Sequence, residues 1–244
     1  MTILVTGGTG RLGRPTVAAL QERGHEVRVF SRRPGPGRTV GDLDTGAGLD
    51  PALEGADTVV HLATTARNDE RHTRVLLDAL EGSGRHLVFV SIVGVDRVPL
   101  AYYRSKLATE RAIAASGLAH TVIRVTQFHD FVTMFLDPQR RLPVTLVIPA
   151  LVQPIDVTDV ARRLVELVEA GPSGRVADLA GPEVRSLAEL AREWQQAAGV
   201  RRPIWTAPLP GKTGTAVRGG GLTTGLPAAG RRTFREHLAS RSAR

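Results

Sequence analysis

The opening of the chain, in which a short apolar strand runs into a glycine-rich turn, most constrains its fold. Thr2–Thr6 has the composition of a buried strand, and the apolar residues after the glycines have helical spacing. This order of strand, glycine-rich turn and helix opens a dinucleotide-binding βαβ unit, in which a pyrophosphate lies at the positive end of the helix. The alternative is a glycine-rich turn that binds nothing.

Three glycines of this turn have separate roles in such a unit. Gly7 allows the tight turn, Gly10 lets the backbone approach the pyrophosphate, and Gly13 lets helix and strand pack closely. The residues of this turn that we expect to contact the cofactor are Gly7, Thr9, Gly10, Arg11, Leu12 and Gly13.

The first half of the chain alternates near-continuous apolar strands with helical segments. This pattern predicts an α/β fold, a doubly wound parallel sheet of Rossmann type with helices on both faces. The predicted strands are Thr2–Thr6, Glu26–Ser31, 57–63, His86–Ile92 and His120–Val125, with a short element at 39–43, and the predicted helices are 11–23, 69–81 and 102–116.

The second half is less regular. Helices are expected at 156–169 and 186–198, the latter with Ser186 as cap and Glu189 completing a capping box. The Gly- and Pro-rich stretch 208–230 is expected to be loop, followed by a short helix at 233–240. We therefore expect a dinucleotide-binding core over 1–126 and a small, mixed C-terminal substrate lobe over 127–244 that is not an independent domain.

The composition narrows the class of protein. With 244 residues, of which 42% are hydrophobic, the chain suits one α/β domain with a small appended lobe. No apolar run approaches the roughly 18 residues of a membrane span, and we expect no secretory signal, because no basic segment followed by a long apolar stretch is present at the start. The chain has no cysteine, which excludes disulfides, thiolate zinc sites and a cysteine nucleophile. We expect a cytoplasmic protein without a metal site.

The net charge is +8, from 32 basic and 24 acidic residues. Almost all of the basic residues are arginine, because the chain has only two lysines, Lys106 and Lys212. The arginines are scattered, and six Phe, two Tyr and two Trp offer few groups for stacking on bases. The expected partner is therefore a small-molecule substrate and neither nucleic acid nor a membrane; a homodimer is left open.

The end of the second predicted strand indicates which nicotinamide cofactor binds. NAD sites usually have a carboxylate there for the ribose hydroxyls, whereas this chain has Ser31, Arg32 and Arg33. Two guanidiniums suit a 2′-phosphate, and Arg11 adds a third cation, so NADP(H) is preferred and NAD(H) is the alternative. Both arginines could equally be solvated turn residues. Further cofactor contacts are expected from Asp42, Leu43, Ala63, Thr64 and Lys106.

Three residues form the candidate catalytic set: Ser91, Tyr102 and Lys106. Tyr102 and Lys106 are four residues apart, which places both side chains on one helix face. A nearby ammonium favours the phenolate and makes a phenol more useful as a proton donor, while the serine hydroxyl holds the substrate oxygen. Tyr103 is the competing phenol, and an exposed helix with an incidental Tyr and Lys is the alternative.

These residues resemble a known family. The Thr-Gly-x-x-Gly-x-x-Gly pattern from Thr6 to Gly13, the segment Val59-Val60-His61-Leu62-Ala63, Ser91 and Tyr102-x-x-x-Lys106 look like the short-chain dehydrogenase/reductase superfamily. The glycine spacing is similar to its extended and atypical branches, which include NmrA-like proteins and sugar-nucleotide epimerases. The resemblance implies a Rossmann fold, NAD(P) binding and the catalytic set Ser91, Tyr102 and Lys106.

The leading functional hypothesis is an NADPH-dependent oxidoreductase that reduces a small apolar carbonyl or quinone-like compound by hydride transfer. The phenylalanine-rich segment after Thr126 suggests the apolar substrate, with Gln127, Phe128 and Phe131 as substrate contacts. Two alternatives remain open: a non-catalytic NADP-binding redox sensor of NmrA-like type, and a sugar-nucleotide epimerase or dehydratase, which needs a nucleotide pocket in the second lobe.

Three other sequence features are not interpreted as catalytic or cofactor sites. Gly211-Lys212-Thr213 lacks the first glycine of a phosphate loop. His61 is expected to be a packed core histidine. The helical spacing of Phe128, Phe131, Met134 and Phe135 is expected to reflect core packing, with the wall of a hydrophobic pocket as the alternative.

Overall fold

The computed structural model describes residues 1–65 and 69–242. The strands of this part of the chain are β1 Thr2–Thr6, β2 Glu26–Ser31, β3 Arg38–Val40, β4 Thr58–His61, β5 His86–Ile92, β6 His120–Val125, β7 Thr145–Val147, β8 Leu151–Val152, β9 Gly174–Arg175, β10 Arg185–Ser186 and β11 Ile204–Thr206. The helices are α1 Gly13–Glu22, α2 Leu49–Leu53, α3 Asp69–Leu80, α4 Ala101–Ala115, α5 His129–Leu136, a 3-10 helix at Asp137–Arg141, α6 Val157–Ala170, α7 Leu187–Ala198, α8 Gly211–Arg218 and α9 Phe234–Ser242.

The chain divides into two compact units. The first consists of Met1–Ser91, Arg104–Arg124 and Val160–Ala177, and the second of Ile92–Tyr103, Val125–Asp159 and Asp178–Arg244. Helices α4 and α6 contribute residues to both units. The expected division into a core over 1–126 and a lobe over 127–244 stays a prediction.

The first unit is built on a seven-stranded sheet of order β3-β2-β1-β4-β5-β6-β9. β1 pairs in parallel with β2 on one side and with β4 on the other. The chain order reverses between β1 and β4, so the carboxyl ends of these two strands, Thr6 and His61, lie side by side at the switch point. In doubly wound sheets, ligands bind outside the strands' carboxyl ends at this point. The predicted α/β Rossmann-type fold is confirmed.

Aliphatic residues of the strands and helices form the core of the first unit. Leu4, Val59 and Leu87 are fully buried on neighbouring strands, and Leu76 and Leu80 of α3 pack in the same cluster. Complete burial of each such side chain stabilises the fold by about 1.5–3 kcal/mol. The strand centres are therefore closed to a ligand, and the segments that follow the strands' carboxyl ends are the ones that can contact it.

The second unit contains two small sheets, β10-β8 and β11-β7. Its helix α7 begins at the predicted capping box, in which Ser186 accepts from the Glu189 backbone N–H and the Glu189 carboxylate accepts from the Ser186 backbone N–H. No helix in the described part of the chain combines the length and apolar character that crossing a membrane requires.

Two expectations for the second half are wrong. Helix α8 lies within the stretch 208–230, which was expected to be loop; its residues between Gly211 and Gly219 are not helix breakers apart from Gly214, whose missing Cβ lets the Leu209 carbonyl approach. Phe131, Met134 and Phe135 lie on α5 as their spacing indicates, but they are exposed and not part of the core.

Candidate functional site

The glycine turn after β1 is folded tightly enough to exclude side chains at two of its positions. Gly7 has a φ of +71°, and a Cβ there would lie 2.5 Å from the Ala63 nitrogen. A Cβ on Gly13 would lie 2.1 Å from the Gly7 carbonyl oxygen. The turn and the start of α1 are therefore held against the end of β4, and Thr9, Gly10 and Arg11 remain exposed beyond them.

The carboxyl end of β2 exposes the predicted phosphate-binding cations. Arg32 and Arg33 are both exposed, and the Ser31 hydroxyl accepts from the Arg33 backbone N–H at 3.2 Å. Since β2 pairs in parallel with β1, this turn leaves the sheet at the same edge as the glycine turn. Two cations at this edge suit a phosphate monoester.

Two of the predicted cofactor contacts, Leu43 and Asp42, differ from one another in accessibility. The Leu43 side chain is buried in the core of the first unit, so that only its backbone is available to a ligand. The Asp42 carboxylate accepts from the Asp44 backbone N–H at 2.9 Å and is partly exposed.

At the carboxyl end of β4, backbone and side chains converge on one carboxylate. The Ala63 N–H donates to the Thr6 hydroxyl at 3.3 Å, which ties the ends of β4 and β1 together. The Asp69 carboxylate, at the start of α3, accepts from the Thr64 hydroxyl at 2.6 Å and from the Thr65 backbone N–H. Asp69 thus fixes the segment that carries two predicted cofactor contacts.

Lys106 is a buried cation paired with that same carboxylate. Its Nζ lies 3.1 Å from the Asp69 carboxylate, and it also lies over the Phe89 ring at 4.7 Å from the centroid. Burial lowers the pKa of Lys106, while the Asp69 and Glu110 carboxylates act in the opposite direction. Asp69 is a functional candidate that sequence reasoning missed; its pairing joins residues 37 positions apart, and no local spacing signals it.

His61 is confirmed as a core histidine. Its Nδ1 lies 2.7 Å from the Thr6 hydroxyl and its Nε2 lies 3.1 Å from the Thr73 hydroxyl. Burial, with a contribution from the Lys106 charge, lowers the pKa of His61 to about 3. The ring is therefore neutral at physiological pH and serves to join β1, β4 and α3.

The predicted catalytic hydroxyls have different environments. Ser91, at the end of β5, is 1% exposed, and its hydroxyl has no hydrogen-bond partner among the described residues. Tyr102 is partly exposed on the first turn of α4, whereas Tyr103 is buried. Burial raises the pKa of Tyr103. Tyr103 is thus the poorer proton donor at neutral pH.

The predicted substrate residues lie in the second unit. Both polar atoms of the Gln127 amide are buried without a hydrogen bond in the described part of the chain. Phe128 forms an isolated bridge with Ile155, and Phe131 is 57% exposed on α5. A buried amide with unused hydrogen-bonding capacity and an exposed aromatic ring are both suited to holding a ligand.

The first unit fits a dinucleotide. A tight glycine turn precedes a helix, cations leave the next strand at the same edge of the sheet, and the buried Ser91 hydroxyl has no described partner. The family model described as NAD(P)H-binding matches residues 7–170. The chain belongs to the NAD(P)H-binding family.

Named relatives agree with this membership. A (4-alkanoyl-5-oxo-2,5-dihydrofuran-3-yl)methyl phosphate reductase from Streptomyces griseus subsp. griseus is 31% identical to this NAD(P)H-binding protein over 83% of this chain and 75% of the relative. Together with the family match, this relative confirms the resemblance to the short-chain dehydrogenase/reductase superfamily. Its name, a reductase, agrees with an NAD(P)-dependent oxidoreductase.

Solved structures share the fold. An NADPH-dependent quinone oxidoreductase from Escherichia coli, complexed with NADPH, has a TM-score of 0.82 at 20% identity and covers 98% of this chain and 99% of its own. A nucleoside-diphosphate-sugar epimerase from Staphylococcus aureus has the same TM-score of 0.82 at 18% identity, with the same coverage of both chains. The family's fold therefore accommodates both reductases and epimerases, and a nicotinamide cofactor is the group that the glycine turn fits.

Proposed function

We propose that this protein is an NADPH-dependent reductase of the short-chain type that acts on a small apolar carbonyl or quinone-like compound. The observation that carries the proposal is the buried ammonium of Lys106, fixed by Asp69 and located four residues after a partly exposed phenol, Tyr102, on α4. A protein that only senses the cofactor has no need of this pair.

The preference for NADPH rests on the turn after β2. Arg32 and Arg33 are exposed there, and no carboxylate occupies the positions from Ser31 to Arg33. A carboxylate at this place would hold ribose hydroxyls and repel a phosphate, whereas guanidiniums bind the 2′-phosphate. Arg11 of the glycine turn is the third cation within the proposed site.

Reduction of a carbonyl needs one hydride and one proton. When bound, the reduced nicotinamide supplies the hydride to the carbonyl carbon. Tyr102 donates its phenolic proton to the substrate oxygen, and the Lys106 ammonium stabilises the phenolate that remains. The Ser91 hydroxyl, which has no other described partner, donates a hydrogen bond to the same oxygen. The product is an alcohol or a hydroquinone, and the phenol regains its proton from water.

Gln127 and Phe131 are the proposed substrate contacts. The Gln127 amide, which has no described hydrogen bond, can form one with a polar edge of the substrate. The exposed Phe131 ring is stabilised when it packs on the apolar surface of the substrate. The combination suits a flat compound with carbonyl oxygens, which is the shape of a quinone.

The test is a paired titration and turnover experiment. Wild type and Tyr102→Phe are titrated with NADPH and NADH, and NADPH oxidation is then followed with a panel of quinones, aldehydes and ketones. We expect turnover by wild type and a kcat about 10²–10⁴-fold lower in Tyr102→Phe, with the NADPH dissociation constant unchanged.

Tyr103→Phe is the matched control, because it removes the neighbouring phenol from the same helix. It should keep at least half of the wild-type kcat. Tight NADPH binding without turnover on any compound would replace the reductase with the sensor, and conversion of a nucleotide sugar at constant NADPH would replace it with the epimerase.

A further inference from the structure

Large hydrophobic side chains are exposed mainly in the second unit. Of the described large hydrophobic residues with substantial exposure, only Met1 and Val40 belong to the first unit. Five in the second unit form what we call the apolar patch: Met134, Phe135, Leu142, Leu146 and Trp205. Trp205 is the most exposed of these at 61%. Such exposure marks a surface that meets something other than water.

Hydrogen bonds join the elements that carry the apolar patch. The Gln139 amide donates to the carbonyls of Phe135 and Leu146 and accepts from the Leu146 N–H. Leu146 and Trp205 are paired in register between β7 and β11. Their side chains therefore share the outer face of this small sheet, since Thr145 and Val147 on either side of Leu146 are buried.

Cations adjoin the apolar patch. Arg140, Arg141 and Arg201, which we call the basic rim, are exposed, and the Arg140 guanidinium donates to the Ala198 carbonyl at 3.1 Å. Arg202 holds the rim together, because its guanidinium donates to the carbonyls of Gln139, Arg140 and Leu142. The Asp137 carboxylate, which precedes Arg140 and Arg141 on the same 3-10 helix, accepts from Arg241 and from the Trp194 indole N–H, and the Arg140 charge also acts on it.

We propose that the apolar patch and the basic rim bind peripherally to an anionic lipid membrane. Aromatic and aliphatic side chains enter the boundary between headgroups and acyl chains, and arginines beside them meet anionic headgroups. The proposal concerns contact with a membrane surface and not a span, and it departs from the sequence-based expectation that the protein has no membrane partner. It stands on exposure and charge, and it does not depend on the proposed reductase activity.

Two other occupants fit the same surface less well. If a second copy docked through this face in a two-fold contact, the basic rims of the two copies would face each other. No carboxylate of the patch would offset the repulsion between them. A nucleic acid would use aromatic rings for stacking, but Met134, Leu142 and Leu146 offer none. A lipid surface uses all members of the patch.

The two tryptophans make the proposal directly measurable. Trp205 is exposed and Trp194 is 2% exposed, so a change in tryptophan emission on membrane contact reports the patch. The full-length protein is titrated with vesicles of phosphatidylcholine containing phosphatidylglycerol, and with vesicles of phosphatidylcholine alone. We expect a blue shift and co-sedimentation with the anionic vesicles only, both weakened by added salt. Trp205→Phe should still co-sediment but lose the shift.

Two double variants separate the apolar and electrostatic contributions. Arg140→Gln with Arg141→Gln should weaken vesicle binding about 30-fold, because each surface cation contributes roughly a five-fold factor. Met134→Ser with Phe135→Ser should weaken it about ten-fold or more. The control is Arg74→Gln with Arg111→Gln, which removes the same charge from exposed positions of the first unit and should bind like wild type.

Circular dichroism and NADPH oxidation with a water-soluble quinone show that each variant is folded. The proposal is overturned by absence of binding to anionic vesicles, or by equal loss of binding in the control pair. It is also overturned if the patch variants change only the sedimentation mass of the free protein, or only its binding to a single-stranded oligonucleotide. If wild type shows turnover but does not bind vesicles, the membrane proposal fails and the proposed function is unaffected. If wild type binds vesicles but shows no turnover, the proposed function fails and the membrane proposal is unaffected.

Discussion

The Nζ of Lys106 lies 3.1 Å from the carboxylate of Asp69, and the two side chains are only 6% and 2% exposed. The same carboxylate accepts from Thr64, so one buried anion fixes both a candidate catalytic cation and the segment after β4. Burial of each charge carries a desolvation cost that the ion pair helps to offset, which makes the position of the ammonium sensitive to a change at Asp69.

Asp69→Asn should destabilise the protein and weaken catalysis together. Removing one partner of a buried ion pair leaves an uncompensated charge, so the free energy of unfolding should fall by about 3 kcal/mol. The pKa of Lys106 should fall further, because burial lowers it and Asp69 opposes that effect. Urea unfolding measures the first effect, and the pH dependence of kcat measures the second.

The matched comparison is Lys106→Met and the double variant. If Asp69 acts through Lys106, the double variant should be more stable than the sum of the two single effects predicts, since it contains no lone buried charge. Additive losses would mean that Asp69 matters only for the Thr64–Thr65 segment.

Arg32→Gln combined with Arg33→Gln should weaken NADPH binding and leave NADH binding unchanged. Charge-assisted hydrogen bonds to the 2′-phosphate contribute about 1.5–3 kcal/mol, so the NADPH dissociation constant should rise about ten- to 100-fold. Isothermal titration with both cofactors measures the difference. Arg74→Gln with Arg111→Gln loses equal charge elsewhere on the first unit and should bind both cofactors normally; an equal loss for NADH would refute the assignment.

Gly13→Ala should disrupt the glycine turn. The added methyl would lie 2.1 Å from the Gly7 carbonyl oxygen, so the start of α1 must move, at a cost of about 1–3 kcal/mol. NADPH binding should be lost or strongly weakened. Gly225→Ala is the control, because nothing lies within 4 Å of the Cβ it adds. Thermal unfolding and NADPH titration of both variants make the comparison, and normal binding by Gly13→Ala would contradict the assigned turn.

His61 should make stability depend on pH between about 6.5 and 3. Its pKa in the folded protein is about 3, below the ordinary value of 6.5, so the unfolded chain takes up the proton first as the pH falls. The stabilisation is complete above pH 6.5, and about 2 kcal/mol of it is lost by pH 5. Urea unfolding from pH 7.5 to 5 measures this slope. His61→Gln, although less stable throughout, should show a shallower slope, and an unchanged slope would exclude His61 as its source.

The fold was predictable because its signals are local. Glu26–Ser31 and His86–Ile92 have the expected strand bounds, since strand composition, turn residues and apolar periodicity all indicate the same limits. Helix α5 was predictable as a helix, but its buried face was not. Its spacing indicates a helix, but which face is covered depends on residues distant in sequence, and Phe131 is exposed.

The candidate site was predictable only in part, for the same reason. The glycine turn and the pair Tyr102 and Lys106 are visible as spacings within short segments. Asp69 is not, because it reaches Lys106 only after α3 and α4 pack. The catalytic, cofactor and substrate roles assigned to individual residues stay predictions until the variants above are measured.

The two ends of the large sheet have a consequence for handling the protein at high concentration. The edge strands of this sheet are β3, with three residues, and β9, with two residues. An edge strand this short presents few unpaired N–H and C=O groups, and Arg38 on β3 and Arg175 on β9 add positive charge to the two edges. Neither edge strand can template a strand from a neighbouring molecule over any length, so the sheet is protected against edge-to-edge aggregation even though its interior strands contain buried apolar residues such as Leu4, Val59 and Leu87.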